Sequence, residues 1–153
     1  MTSSYNDIYS RFLNKIRDYE FAGLPEPNAT GQMREWLQSA LSHSYIYRIF
    51  DTFSADDEIA EIEYTLKSSV DEYNDKHFVE ELLGNAMVVE WISPKVKTTT
   101  LLNQMITNSK ESKWYNQKDH LKALEDIQED SENKVREMLR DKGYIYNSYL
   151  GNV

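Results

Sequence analysis

Apolar side chains recur three and four positions apart along most of this chain, the period of one face of an α-helix. Tyr5, Ile8, Tyr9, Phe12, Leu13 and Ile16 form the first such stripe and predict a helix over 4–19. Ser3 or Ser4 is placed to cap it, and Asp7 to meet the positive end of its dipole. Gly23, Pro25 and Pro27 then interrupt the pattern. A second stripe, Met33, Trp36, Leu37, Ala40 and Leu41, predicts a helix from about Thr30. The third runs over 75–92 on Val79, Leu82, Leu83, Ala86 and Met87, widened by Phe78, Val89 and Trp91. So wide an apolar face predicts the most buried helix of the domain. Pro94 is expected to end it, with a short helix following over 98–106.

The last helix is predicted over 117–142, on the sparse seam Leu121, Leu124, Ile127, Val135, Met138 and Leu139. Its middle, 125–133, is mostly polar, so it faces water or another polar chain. Gly143 suits a C-cap. Between these helices the signals are poorer. The run 45–50 fits a strand or a continued helix, and 51–57 reads as a loop by composition. Alternating charged and apolar residues over 61–66 give a weak extended signal. The stretch 108–116 is polar and turn-like, interrupted by Trp114 and Tyr115. The expected fold class is therefore all-α: a small bundle of about four to five helices with a long C-terminal helix. One domain over 1–143 would be followed by an extended tail, 144–153.

Composition sharpens this picture. The chain has 153 residues, no cysteine, 5 glycines and 3 prolines. Without cysteine there is no disulfide, no thiolate nucleophile and no zinc-thiolate site. Scarce breakers favour helices over a many-turned β fold. No apolar run is long enough for a membrane span, and the start lacks the basic and apolar regions of a signal peptide. A soluble protein made in a cytoplasm is expected.

The formal charge of -9 is local. Residues 51–90 carry 12 acidic and 2 basic side chains, net -10, against net 0 over 1–50 and net +1 over 91–153. General binding to nucleic acid is disfavoured, because phosphate contacts need Lys and Arg. Asp56, Asp57, Glu58, Glu61, Glu63, Asp71 and Glu72 are the candidate acidic surface. They would face solvent, or form a surface that repels nucleic acid or meets a basic partner.

No enzymatic motif is present. The glycines are too scattered for a phosphate loop, and no nucleophile-elbow sequence occurs. His43, His77 and His120 lack a paired ligand motif and read as surface or boundary residues. Asp56-Asp57-Glu58 and Asp71-Glu72 lack the glycine turn and alternating oxygen ligands of a calcium loop. No cofactor, no metal and no catalysis are expected. The aromatics say more. Trp36 and Trp91 fall on apolar helix faces and read as core. Trp114 and Tyr115 in the polar connector, and Tyr144, Tyr146 and Tyr149 in the tail, are the candidate partner-binding residues.

Three stretches carry a family likeness. They are Tyr5-Asn6-Asp7-Ile8-Tyr9-Ser10-Arg11-Phe12-Leu13-Asn14-Lys15-Ile16-Arg17-Asp18-Tyr19, Ala86-Met87-Val88-Val89-Glu90-Trp91-Ile92-Ser93-Pro94-Lys95-Val96, and Trp114-Tyr115-Asn116-Gln117-Lys118-Asp119-His120-Leu121. With the long helix and tyrosine-rich end that follow, they resemble head-to-tail connector proteins, the adaptor or head-completion components of tailed phages of Gram-positive bacteria. Residues 43–75 carry no part of the likeness. These motifs are structural and not catalytic.

The resemblance implies a largely helical subunit of the virion neck, assembling as a homo-oligomeric ring, commonly a dodecamer, under the portal protein. The C-terminal segment of such adaptors drapes onto the portal, and 143–153 occupies that place here. The next neck or tail-completion protein would be the other partner, with no membrane involved, and the acidic stretch would suit a channel through which DNA passes without specific binding. Two alternatives stand beside it. One is a stopper or tail-completion protein of the same virion. The other, of a different class, is an acidic inhibitor that mimics DNA, motivated by the net -10 stretch.

Overall fold

The structure is a computed structural model that describes residues 1–16, 19–105 and 111–144. In chain order the elements are β1 (Thr2–Ser4), α1 (Tyr5–Leu13), α2 (Tyr19–Ala22), α3 (Glu26–Leu41), a 3-10 segment (Ser44–Ile49), β2 (Phe50–Asp56), β3 (Glu61–Leu66), α4 (Glu72–Met105) and α5 (Glu111–Tyr144). The protein is mostly helical, yet it carries a three-stranded antiparallel sheet of order β1-β3-β2. The expected all-α class is thus corrected to a mixed α/β fold.

The reason lies in pairing. β3 alternates Glu61, Glu63 and Thr65 outward with Ile62, Tyr64 and Leu66 buried, the pattern of a half-buried strand. Its neighbours give almost no local signal. β1 is three residues long and sits where a helix cap is expected. β2, read from composition as a loop, is exposed along most of its length and broken by a bulge between Phe50 and Thr52. Both become strands because β3 pairs with them, Ser3 opposite Ile62 and Phe53 opposite Tyr64. The four-residue turn 57–60 closes the hairpin, with Ala60 at φ 54 and its carbonyl accepting from the Tyr5 amide at 2.8 Å.

The helices pack on the inner face of this sheet and on one another. α1 buries Tyr5, Ile8, Tyr9 and Phe12, and α3 buries Met33, Leu37, Ala40 and Leu41, the stripes the periodicity predicts. Each large side chain taken fully out of water stabilises the fold by about 1.5–3 kcal/mol. Ser4 caps α1, its Oγ accepting from the Asp7 amide at 3.1 Å. Ser3, the other predicted cap, is instead buried in β1, where its Oγ lies 3.1 Å from Tyr64 Oη and donates to Glu80 Oε1 at 3.2 Å. α3 begins at Glu26, earlier than predicted, since Pro27 falls in its first turn, where no amide is needed.

α4 is the central element. Every residue over 82–88 is buried. α1 crosses it at Gly84, where an added Cβ would stand 2.8 Å from Arg11 Cβ and 3.2 Å from the Phe12 nitrogen. Pro94 does not stop α4, which runs to Met105 and absorbs the predicted short helix. Proline removes one backbone hydrogen bond but leaves the packing on either side available. α5 lies antiparallel along α4, and Gln128 Nε2 donates to Ser93 Oγ at 3.2 Å beside the proline. Val96, beyond it, still packs on the core.

α5 starts at Glu111, so Trp114 and Tyr115 belong to a helix and not to a polar connector. It ends at Tyr144, one residue into the predicted tail. Over 94–101 and 118–134 no side chain is buried, whereas Ile92 and Val135 are. Past Val96 on α4 and before Leu124 on α5, no described side chain packs on the core.

Candidate functional site

Seven acidic residues were the candidate surface, and all seven are exposed. The structure divides them. Asp56, Asp57 and Glu58 form the β2–β3 turn, and Glu61 and Glu63 stand on the outer face of β3. Opposite them on β2 lie Asp56, Ser54 and Thr52, so this sheet face is entirely polar. Asp71 and Glu72 lie beyond the far end of β3 and serve another purpose. Asp71 accepts from the Asn74 amide at 2.9 Å and caps α4. That backbone bond, with the Asn74 side chain, holds its carboxyl below the usual range.

The turn itself is tightly held. Tyr5 Oη donates to Asp57 Oδ1 at 2.6 Å, and Gln38 Nε2 donates to Oδ2 at 2.9 Å. Arg34 donates to the Asp57 carbonyl at 2.9 Å. The Tyr5 hydrogen bond is the main cause of a lowered Asp57 pKa; desolvation opposes it, and Gln38 and the Arg34 charge add to the lowering. Asp56 Oδ1 accepts from the amides of Glu58 and Ile59 at 2.9 and 3.3 Å. What remains outward is Glu58, the second oxygen of Asp56, and Ile59, which is 63% exposed.

Of the other five acids over 51–90, Asp51 is exposed and four are paired. Asp75 meets Lys142, Glu80 meets Arg11, Glu81 meets Lys15, and Glu90 meets His43. The net -10 of residues 51–90 therefore does not appear as one acidic wall. Part of it is neutralised by Arg11 on α1, Lys15 just beyond it and Lys142 on α5.

Those pairings border a feature that no local pattern in the sequence announces. A cleft of about 910 Å³ opens between the 3-10 segment, α4 and α5. Ile49, Val89, Val135 and Leu139 give it an apolar floor. Arg48, Lys97, Arg136 and Arg140 stand around it. Two acids also line it. Glu90 is satisfied by His43 Nε2 at 2.5 Å and Ser39 Oγ at 2.8 Å, and His43 stacks on Tyr45. Glu132 lies 3.8 Å from Arg136 in the next turn of α5. Arg48 and Lys97 have no ion-pair partner among the described residues. On a chain with 26 acids and 17 bases, this is a cationic site. Its residues come from three separated segments, so only the slight positive balance after residue 90 hinted at it.

Of the candidate partner-binding aromatics, Trp114, Tyr115 and Tyr144 lie on α5, where only their backbone is described. Tyr146 and Tyr149 lie outside the described residues. Trp91 is buried, and Trp36 packs on Phe12 and Phe21 with ring centroids 5.4 Å away in each case. His77 takes a contact from Arg11 and stacks edge-on with Tyr73. His120 is exposed. Among the described residues no group of three or more potential ligands could hold a metal ion, and no helix is long and apolar enough to cross a membrane.

Comparison with protein-family models, with curated proteins and with solved structures finds no match to this chain.

Proposed function

We propose that this protein is a structural subunit of a phage neck, a head-to-tail adaptor that forms a ring under the portal and links capsid to tail. The observation that carries the reading is the pair of long helices reaching past the core. Past Ile92 on α4 and before Val135 on α5 no described side chain is buried, and Leu101 is 60% and Ile127 41% exposed. Two 34-residue helices that extend an open apolar seam are suited to packing against neighbouring copies. The family likeness over 5–19, 86–96 and 114–121 points the same way. The polar outer sheet face, with Asp56, Glu61 and Glu63, would let DNA pass without sticking.

A stopper or tail-completion protein of the same virion would share these features. The DNA-mimic reading is weakened by the inward pairing of Asp75, Glu80, Glu81 and Glu90, which leaves only a local acidic patch. The test compares the size of the purified chain in dilute solution with its state in purified particles. A small species alone and a ring touching the portal in the particle are expected. A chain missing from the neck of mature particles would sink the proposal, and a ring that touches the tail instead would favour the stopper.

A further inference from the structure

We propose that the basic cleft is a socket for the acidic β2–β3 turn of a second copy of this chain. The inference rests on the ring reading above only for the closure of successive contacts into a ring. The pairwise contact follows from the shapes and charges of two patches.

The turn presents one exposed apolar side chain, Ile59, beside the carboxylates of Asp56 and Glu58, with Glu61 just behind. The cleft presents the converse, an apolar floor of Ile49, Val89, Val135 and Leu139 ringed by Arg48, Lys97, Arg136 and Arg140. Ile59 would leave water on the floor while the carboxylates meet the guanidinium groups. Arginine is suited to this, because its planar fork accepts a carboxylate bidentately. Glu90 is already held by His43 and Ser39, and although Glu132 pairs with Arg136 and Asp141 with Arg140, Arg48 and Lys97 stay without an ion-pair partner among the described residues and the lining keeps a positive balance. A volume of about 910 Å³ can take a turn of several residues.

The turn is also preorganised. Tyr5, Gln38 and Arg34 fix Asp57, and Asp56 ties down the amides of Glu58 and Ile59. Little chain entropy is then lost on docking. The same bonds tie the turn to α1 and α3, so it cannot swing into the cleft of its own chain. The two patches are different surfaces, so each copy offers a knob to one neighbour and a socket to the other. Repetition of such a heterologous contact generates a ring when the rotation closes.

The experiment uses charge reversal in the full chain and reads self-association by sedimentation over a concentration series at low salt. Arg48→Glu with Arg140→Glu reverses the socket, and Asp56→Lys with Glu58→Lys reverses the knob. Each double variant alone should self-associate at least about a hundredfold more weakly than the natural chain, since like charges face each other. Mixing the two variants should restore association, because each then offers the charge the other lacks. That rescue also shows both variants are folded. Added salt should weaken the natural contact. Self-association untouched by either reversal overturns the proposal, as does a natural chain that stays monomeric up to millimolar concentration. Loss of binding to duplex DNA in the socket variant, with self-association unchanged, would overturn it in favour of a phosphate ligand. Absence of the chain from the virion neck, with the rescue observed, would discard the adaptor reading and leave this contact standing.

Discussion

Lys142 Nζ lies 2.9 Å from Asp75 Oδ1, and this contact joins the last turns of α5 to the first turns of α4. Asp75 is fully buried and also accepts from Ser69 Oγ at 2.6 Å and from the Val70 amide at 3.1 Å. The Lys142 ammonium is 5.0 Å from the Phe78 ring centroid as well. The pair anchors one end of the long helical hairpin, whose other end reaches past the core.

Removing the cation should be the costlier change. Lys142→Met strands a buried carboxylate and should destabilise the fold by about 3 kcal/mol. Asp75→Asn keeps a hydrogen-bonding side chain and should cost about 1–2 kcal/mol. The double variant should cost less than the two singles together. Denaturant unfolding of the three variants checks the ordering.

Acid should unfold the protein from the carboxylate side. Burial pushes the Asp75 pKa up, but hydrogen bonds from Ser69 and Lys142, the Lys142 charge and the Val70 amide outweigh it and leave it lowered. Asp57 and Asp71 are lowered too, chiefly by Tyr5 and by the Asn74 amide. A folded-state pKa below the unfolded one contributes stability above the ordinary carboxylate range and loses it as pH falls through the folded value. Thermal midpoints should therefore hold at neutral pH and fall progressively below about pH 5. Asp75→Asn should flatten that fall. An unaltered slope in the variant would remove Asp75 from the account.

Gly84→Ala should destabilise the fold although alanine is the better helix former. The new Cβ would meet Arg11 Cβ and the Phe12 backbone nitrogen, neither of which is the free end of a side chain. Separating α1 from α4 should cost about 1–3 kcal/mol. Retained or raised stability would mean that α1 can shift without loss.

Deleting 144–153 should leave a folded chain, because the Asp75–Lys142 contact precedes the cut. The unfolding free energy should change by less than about 0.5 kcal/mol. Co-assembly with the portal should be lost. Unchanged co-assembly would remove the tail from the docking contact.

The helices of this protein were legible because each carries its own period. Tyr5 to Phe12, Met33 to Leu41 and Val79 to Met87 announce buried faces whatever surrounds them. The sheet was half legible: Ile62, Tyr64 and Leu66 alternate, but β1 and β2 have too few buried positions to declare themselves. Pro94 misled because a breaking residue acts locally, while the packing of α5 on both sides of it acts at long range. The acidic residues could be counted along the chain, but not sorted. Only the folded arrangement distinguishes Glu80, paired with Arg11, from Glu58, which points into water.

By itself, then, the amino-acid order determined the helical character, the absence of cysteine chemistry and the localisation of charge to 51–90. These depend on neighbours a few positions apart or on composition alone. The tertiary structure decided the sheet, the pairing of four of the twelve acids over 51–90 and the basic cleft built from Arg48, Lys97, Arg136 and Arg140. Strand pairing, ion pairing and a cleft between helices all join residues distant in sequence, and no local period encodes which distant segment comes to lie alongside.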